Sequence, residues 1–307
     1  MADHIVVAVD DASAFKDKGC ALNCAGTLAR HIGGKVALLH VQPPESNDQA
    51  TITPYQYEGV VDARRTEQKE HLSDTAAAME QIEERVEESW GVDADARAEH
   101  GDLRRTLQQA VESLEGDLLI ARTGEEQCPS AYLARLPDDV IRDATVPVLF
   151  VPGGPCRLMH GVGRALVPLD GSPGAEEALP YALHLLEDDG TLHLLTVVPP
   201  STRVESLRRP GAAALRSPEA AEHYLDSVAS RPDLQGVHVE WNVLTGMSAE
   251  EGIRSETGRV DAHLLAMSTR AHTGLSGILF GNVTGEVLRT SHVPILVHRT
   301  GSASKAA

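Results

Sequence analysis

The chain has 307 residues, 42% hydrophobic and only 3% aromatic, enough for two domains of roughly 150 residues with cores of Val, Leu, Ile and Ala. A formal charge of −18 argues against nucleic acid and anionic membrane as partners, because both require clustered Lys and Arg. No stretch approaches the ~20 apolar residues of a membrane span, so membrane insertion is not expected. The start, Met1-Ala2-Asp3-His4, moves directly into an apolar run without the regions of a signal peptide, which points to the cytoplasm. The basic residues are lopsided, 22 Arg against 5 Lys. An acidic, lysine-poor surface suits a salt-rich cytoplasm, and a GC-rich genome gives the same bias; both readings stay open.

The first predicted strand is His4-Ile5-Val6-Val7-Ala8-Val9-Asp10, an apolar run closed by an aspartate. A helix is predicted from Lys18 to His31 and a second strand from Lys35 to Val41, ending at Pro43-Pro44. A long helix, roughly Ala63 to Trp90, carries Glu83, Glu84, Glu87 and Glu88 on what reads as a solvated face. A strand over Val92 to Glu99, a helix over Leu103 to Leu114 and a strand over Leu118 to Ala121 follow. Val146-Pro147-Val148-Leu149-Phe150-Val151 is the last strand of this set. Residues 153–162, rich in Gly and Pro and periodic in nothing, read as a linker.

The same pattern is then written again. Arg164-Ala165-Leu166-Val167-Pro168-Leu169-Asp170 repeats the first strand, a helix is expected over Ala175 to Leu186, and a strand over Thr191 to Val197 ends at Pro199-Pro200. A helix over Pro218 to Ala229 and a strand over Val237 to Leu244 come next. Ser248 and Glu251 form a capping box at the start of a helix over Ala249 to Glu256. Leu264 to Met267 makes a short buried strand, followed by a polar segment with Gly274, Gly277 and Gly281, a helix over Val283 to Arg289 and a last strand over Val293 to Val297. A repeat of about 150 residues is a duplicated domain, so the expected division is 1–152, the linker, 163–300 and a disordered tail, 301–307. Uninterrupted apolar strands alternating with helices belong to a parallel sheet covered on both faces. Strand, glycine-bearing loop and helix is also an arrangement in which backbone N–H groups can cradle phosphate.

Cys20, Cys24, Cys128 and Cys156 include no C-x-x-C pair, and the 14 histidines form no cluster. Buried, reduced thiols and no metal site are expected.

The run His272-Thr273-Gly274-Leu275-Ser276 through Gly281, with Val293-Pro294-Ile295-Leu296-Val297 after it, resembles the universal stress protein family. Nucleotide-binding members of that family carry G-x2-G-x9-G-[ST] after the fourth strand. The resemblance covers both copies and implies an α/β fold of two tandem UspA-like domains, each a five-stranded parallel sheet, order 3-2-1-4-5, sandwiched by helices. Strands 1 and 4 are then neighbours at the switch point where open α/β sheets bind ligands. Carried onto the second copy, the family's nucleotide contacts fall on Asp170, Val197, Met267, Ser268, Ala271, Gly281 and Asn282, and the implied ligand is ATP or AMP. Asp170 would meet the adenosine part, Val197 the adenine edge through its backbone, and the glycine-loop positions the phosphates. One glycine of three survives, since Ser268 and Ala271 hold the first two positions, and Asn282 replaces Ser or Thr. A methyl group on Ala271 costs on the order of 1 kcal/mol if its φ must be positive.

The first copy keeps Asp10, followed by Asp11 in place of the usual glycine. Counting back from Pro147 puts Ala121, Gly124, Ala134 and Arg135 at the motif positions, with Glu125 and Glu126 repelling phosphate and Arg122 and Arg135 offsetting them. This copy is expected to be a structural partner. His40 can meet Asp10 across neighbouring strand ends, as packing rather than chemistry.

No G-x-S-x-G elbow, P-loop or adjacent nucleophile–base pair signals catalysis, so the chain is not expected to be an enzyme. The leading reading is a stress-response regulator that takes ATP or AMP in the second copy. Two alternatives stay open: a ligand-free module that regulates a partner such as a transporter or enzyme, and a slow ATPase or nucleotide hydrolase. Single-domain relatives dimerise through their last strands, so the resemblance implies an intramolecular pseudo-dimer joined at Val146–Val151 and Val293–Val297, with a homodimer of chains also open.

Overall fold

The computed structural model describes residues 4–9, 20–42, 75, 77–123, 144–152, 157–200, 215, 217–269 and 282–300. The first half contains β1 (His4–Val9), α1 (Cys20–Ile32), β2 (Lys35–Gln42), α2 (77–90), β3 (Ala94–His100), α3 (Leu103–Ser113), β4 (Leu118–Thr123) and β5 (Val148–Pro152). The second contains β6 (Val162–Pro168), α4 (Pro173–Glu176), α5 (Leu179–Leu185), β7 (Leu186–Val198), α6 (Pro218–Ala229), β8 (His238–Thr245), α7 (Ala249–Arg259), β9 (Leu264–Thr269), α8 (Asn282–Thr290) and β10 (Ile295–Arg299). The expected helix start over 63–74 and the tail over 301–307 lie outside the described residues.

The strands form one sheet in the order β3-β2-β1-β4-β5-β10-β9-β6-β7-β8. Within each half all pairings are parallel and the order is 3-2-1-4-5, as the family resemblance implied. The halves meet at an antiparallel pair, with Phe150 opposite Ile295, Leu149 opposite Leu296 and Val148 opposite Val297. Period-two alternation sorts the strand side chains into two layers. Ile5, Val7, Ala165 and Val167 pack with Leu28, Ile82, Leu179 and Leu225 from α1, α2, α5 and α6. Val6 and Leu166 pack on the other face with Leu107, Val111, Ile253 and Val287 from α3, α7 and α8.

Local signals set the helix starts. Ser217 and Ser248 cap α6 and α7, and the Ser248–Glu251 box closes with reciprocal bonds of 3.2 and 3.1 Å. Asp102 caps α3 by accepting from Arg105 N–H. At Gly26 a Cβ would overlap the Trp90 ring, so a glycine lets the end of α2 lie against α1.

Two element bounds need correction, and one linker residue finds a place in the core. The helix foreseen over 175–186 is two short helices, because Pro180 removes an N–H donor and α5 has to restart. β7 begins at Leu186, which pairs with Val162, five residues before the foreseen Thr191. Leu158, inside the stretch read as linker, is fully buried in the core, and Arg157 beside it pairs with Asp261 at 2.7 Å. Cys24 is a buried thiol.

The carboxylates of α2 also do more than face water. Glu83 accepts from Ala96 N–H at 3.0 Å and Glu87 from Ala94 N–H at 3.3 Å, both on the edge strand β3.

Candidate functional site

At the carboxyl end of β6 the backbone is tied on one side to β7. Leu169 N–H donates to Leu195 O at 2.7 Å, and Thr196 Oγ1 donates back to Leu169 O at 2.9 Å. The chain then turns through Gly171, whose φ of +80° favours glycine. Asp170 is exposed, and its Oδ1 accepts from Ser172 N–H at 2.9 Å, while Oδ2 has no partner among the described residues. Ser172 is buried and caps α4 through Ala175 N–H, with Pro173 in the first turn. This aspartate can therefore help to start the helix and still face a ligand.

Behind the turn, Glu176 accepts from the Tyr224 hydroxyl at 2.9 Å and from Arg231 Nη1 at 2.7 Å. Burial, reinforced by Glu176 and Asp170, pushes the Tyr224 phenol far up, so it stays a neutral donor. Asp233 pairs with the same guanidinium at 3.0 Å, leaving the negative charge of Asp170 unneutralised by it.

On the other side of β6 lies β9. Met267 is buried in the layer under α7 and α8, and Ser268 points to the opposite face. The Ser268 hydroxyl oxygen is buried without a hydrogen-bond partner among the described residues. Its neighbour in register on β10 is His298, which is 3% exposed. His298 Nε2 lies 3.2 Å from Glu177 Oε2, and its ring rests on Tyr181 with centroids 4.7 Å apart. Burial lowers the His298 pKa, and Glu177 opposes the shift only in part. A carboxylate can only accept, so Nε2 carries the proton of the neutral ring, and Nδ1, buried and without a partner among the described residues, is an acceptor. Ser268 and His298 thus stand in register near the ends of β9 and β10, each with a buried polar atom that has no partner among the described residues.

Four of the residues predicted for a nucleotide come together at the ends of adjacent strands: Val197 on β7, Asp170 after β6, and Met267 and Ser268 on β9. The Val197 side chain, half-buried, packs against Gly252 of α7, where an added Cβ would sit 2.6 Å from Val197 Cγ2. Asn282 opens α8. Ala271 and Gly281 lie outside the described residues, as do Asp10, Gly124, Glu125, Glu126, Ala134 and Arg135. In the first copy the register is corrected by one residue. Val151 pairs with Arg122 as His298 pairs with Ser268, so Arg122, not Ala121, occupies the place of Ser268. His40 Nδ1 bonds Val9 O at 2.9 Å, a strap across strand ends.

Sequence reasoning missed His298, Glu177 and Tyr181, although a histidine in the apolar run Ile295-Leu296-Val297-His298 was a visible irregularity. It also missed a second polar cluster under α7. Glu256, 1% exposed, accepts from His193 Nε2 at 2.8 Å, Asn242 Nδ2 at 2.9 Å and Arg259 Nη2 at 2.7 Å. Burial raises its pKa, and the bonds from Arg259, Asn242 and His193 outweigh burial and hold the carboxyl at about 2. Among the described residues no group of three His, Cys, Asp or Glu is placed to hold a metal ion, and no helix is long and apolar enough to cross a membrane.

The sequence model of the Universal stress protein family matches residues 1–152 and again 161–299. The chain belongs to the universal stress protein family. A universal stress protein of Methanocaldococcus jannaschii is 30% identical over 138 residues, 44% of this chain and 80% of that protein. One from Synechocystis is 25% identical over 199 residues, 63% of this chain and 62% of the relative. A universal stress protein structure from Archaeoglobus fulgidus superposes with a TM-score of 0.63 over 98% of this chain and 100% of its own, at 18% identity, a likeness of fold alone.

Proposed function

We propose that this universal stress protein is a cytoplasmic stress-response regulator whose second copy takes an adenine nucleotide, ATP or AMP, at the carboxyl ends of β6, β7 and β9. The nucleotide biases the shape offered to a regulated partner, and the chain binds it without turning it over. One observation carries this reading: Asp170 stands exposed at the switch point between β6 and β9, with one carboxylate oxygen fixed by Ser172 N–H and the other free to accept from a ribose hydroxyl or an exocyclic amine. The backbone of Val197 on the flanking strand supplies the edge that an adenine needs.

A second reading is favoured by Ser268 and Ala271, two side chains where phosphate-binding relatives have glycines. On that reading the chain regulates a partner without any ligand. Calorimetric titration of nucleotide-stripped protein with ATP and AMP separates the two. Saturable binding that weakens at least tenfold in Asp170→Ala supports the nucleotide reading, and a flat titration establishes the ligand-free module. Multiple-turnover phosphate release lost in Asp170→Ala would instead make the chain an enzyme.

A further inference from the structure

The two ends of the sheet, β3 and β8, are treated differently. Every second N–H of an edge strand points away from its neighbour. On β3 the outward donors Ala94 and Ala96 are taken by Glu87 and Glu83. On β8 the equivalent residues are Val239 and Trp241, which pair with Leu192 and Leu194 as Ala94 and Ala96 pair with Val36 and Leu38. Gly246 N–H donates to Val198 O, so the donors that alternate with it, Val239 and Trp241, face outward. No side chain among the described residues accepts from either. The helix equivalent to α2 is α6, which a 3-10 turn over Pro232–Leu234 separates from β8, and its Tyr224 hydroxyl is committed to Glu176.

An open groove of about 570 Å³ follows this edge. Its sides differ, because neighbouring residues of a strand point to opposite faces. On one face stands Trp241, 38% exposed. On the other stands Glu240, its side chain 55% exposed, above Asn242 and Arg259. Arg259 directs Nε and Nη2 to the buried Glu256, so its charge is balanced. Glu240, with His238 Nε2 at 3.4 Å and His193 Nδ1 at 3.5 Å from its oxygens, is the carboxylate left facing the groove.

We propose that β8 accepts an extended segment of a partner protein as a further strand, with a basic side chain of that segment over Glu240 and an apolar one over Trp241. Main-chain bonds to the outward groups of β8 supply affinity, and the alternating side chains supply selectivity. The charge of the chain favours a cationic partner. A second copy fits less well: each copy carries −18, and an eight-residue edge falls short of the ~800 Å² per partner of a stable interface. This surface lies on the outer side of β8, next to β7; it uses neither Asp170 nor Val197 and does not depend on the nucleotide reading.

The test is calorimetric titration of the full chain with a capped octapeptide of alternating Val and Arg, against one of alternating Val and Glu and an Arg peptide N-methylated at every second residue. The Arg peptide should bind at one site, and both controls at least tenfold more weakly. Glu240→Lys, and Val239→Pro, which removes an outward donor without touching the β7 ladder, should each weaken it at least tenfold with an unchanged circular dichroism spectrum. If Val239→Pro does not fold, the N-methylated peptide answers the same question from the ligand side. Equal binding of the Arg and Glu peptides, or indifference to Glu240→Lys, overturns the proposal. So does sedimentation showing a dimer of the free chain that Val239→Pro dissociates.

Discussion

The two copies share a strand order and a strap, and differ in nearly everything that the strap presents. His40 Nδ1 bonds the carbonyl of Val9, and Thr196 Oγ1 bonds the carbonyl of Leu169 at the matching place. Around those equivalent straps, Arg122 stands where the second copy has Ser268, Val151 where it has His298, and Ala37 where it has His193. The backbone ladder positions each side chain whatever its chemistry, so a duplicated sheet can lose or gain a polar site by point substitution while its architecture persists. The edges make the same point: one is closed by two glutamates, and the other meets no such acceptor among the described residues.

The comparison is broken most severely at the seam that both copies share. Phe150→Ala should cost about 3–5 kcal/mol, because a fully buried ring opposite Ile295 leaves a cavity on both sides of the antiparallel pair. Urea unfolding should show this as a lowered midpoint in one cooperative transition. Two separated transitions in the variant would mean that the halves hold together independently of that seam.

Glu256→Gln sharpens the contrast between the copies, since the first has Ala37 where His193 sits. The expected loss is on the order of 3 kcal/mol at pH 7, as the charge that satisfies His193, Asn242 and Arg259 disappears. The folded carboxyl titrates near 2, below its ordinary value of 4.5, so its contribution is complete above about 4.5 and fades as pH falls toward 2. Chemical denaturation of variant and parent at pH 7 and pH 3 should therefore show a gap that narrows in acid. A constant gap contradicts the assignment.

Glu83→Ala combined with Glu87→Ala turns the closed edge into a copy of the open one. The cost should be about 1 kcal/mol, and the amides of Ala94 and Ala96 should exchange with deuterium faster while those of Val6 and Val7 do not change. Unchanged exchange at Ala94 and Ala96 would show that the carboxylates do not guard the strand.

The smallest effect belongs to His298. Its folded pKa lies below the ordinary 6.5, so the folded state binds fewer protons, and the neutral ring's contribution, full above about 6.5, declines as the solution is acidified. The groups facing it are Glu177, Tyr181, Arg299 and Ser268. Between pH 7 and pH 5 the parent should lose more stability than His298→Gln. A parent that gains stability in that interval refutes the lowered pKa.

Sequence alone determined the alternation of strands and helices, the duplication, the capped helix start at Ser248, and, through family resemblance, the strand order. Those features are written locally, in apolar periodicity and in Ser, Pro and Gly at helix ends, so no distant contact is needed to read them. Only the tertiary structure decided the partners of Glu256, the company of Ser268 and His298, the place of Leu158 in the core and the work of Glu83 and Glu87. His193 and Glu256 lie 63 residues apart and leave no local trace of their bond. Whether Arg122 or Ala121 answers to Ser268 turned on a one-residue register, and in a sheet such a step carries a side chain to the opposite face. The ladder of backbone hydrogen bonds sets that register, and it exists only once the strands have met.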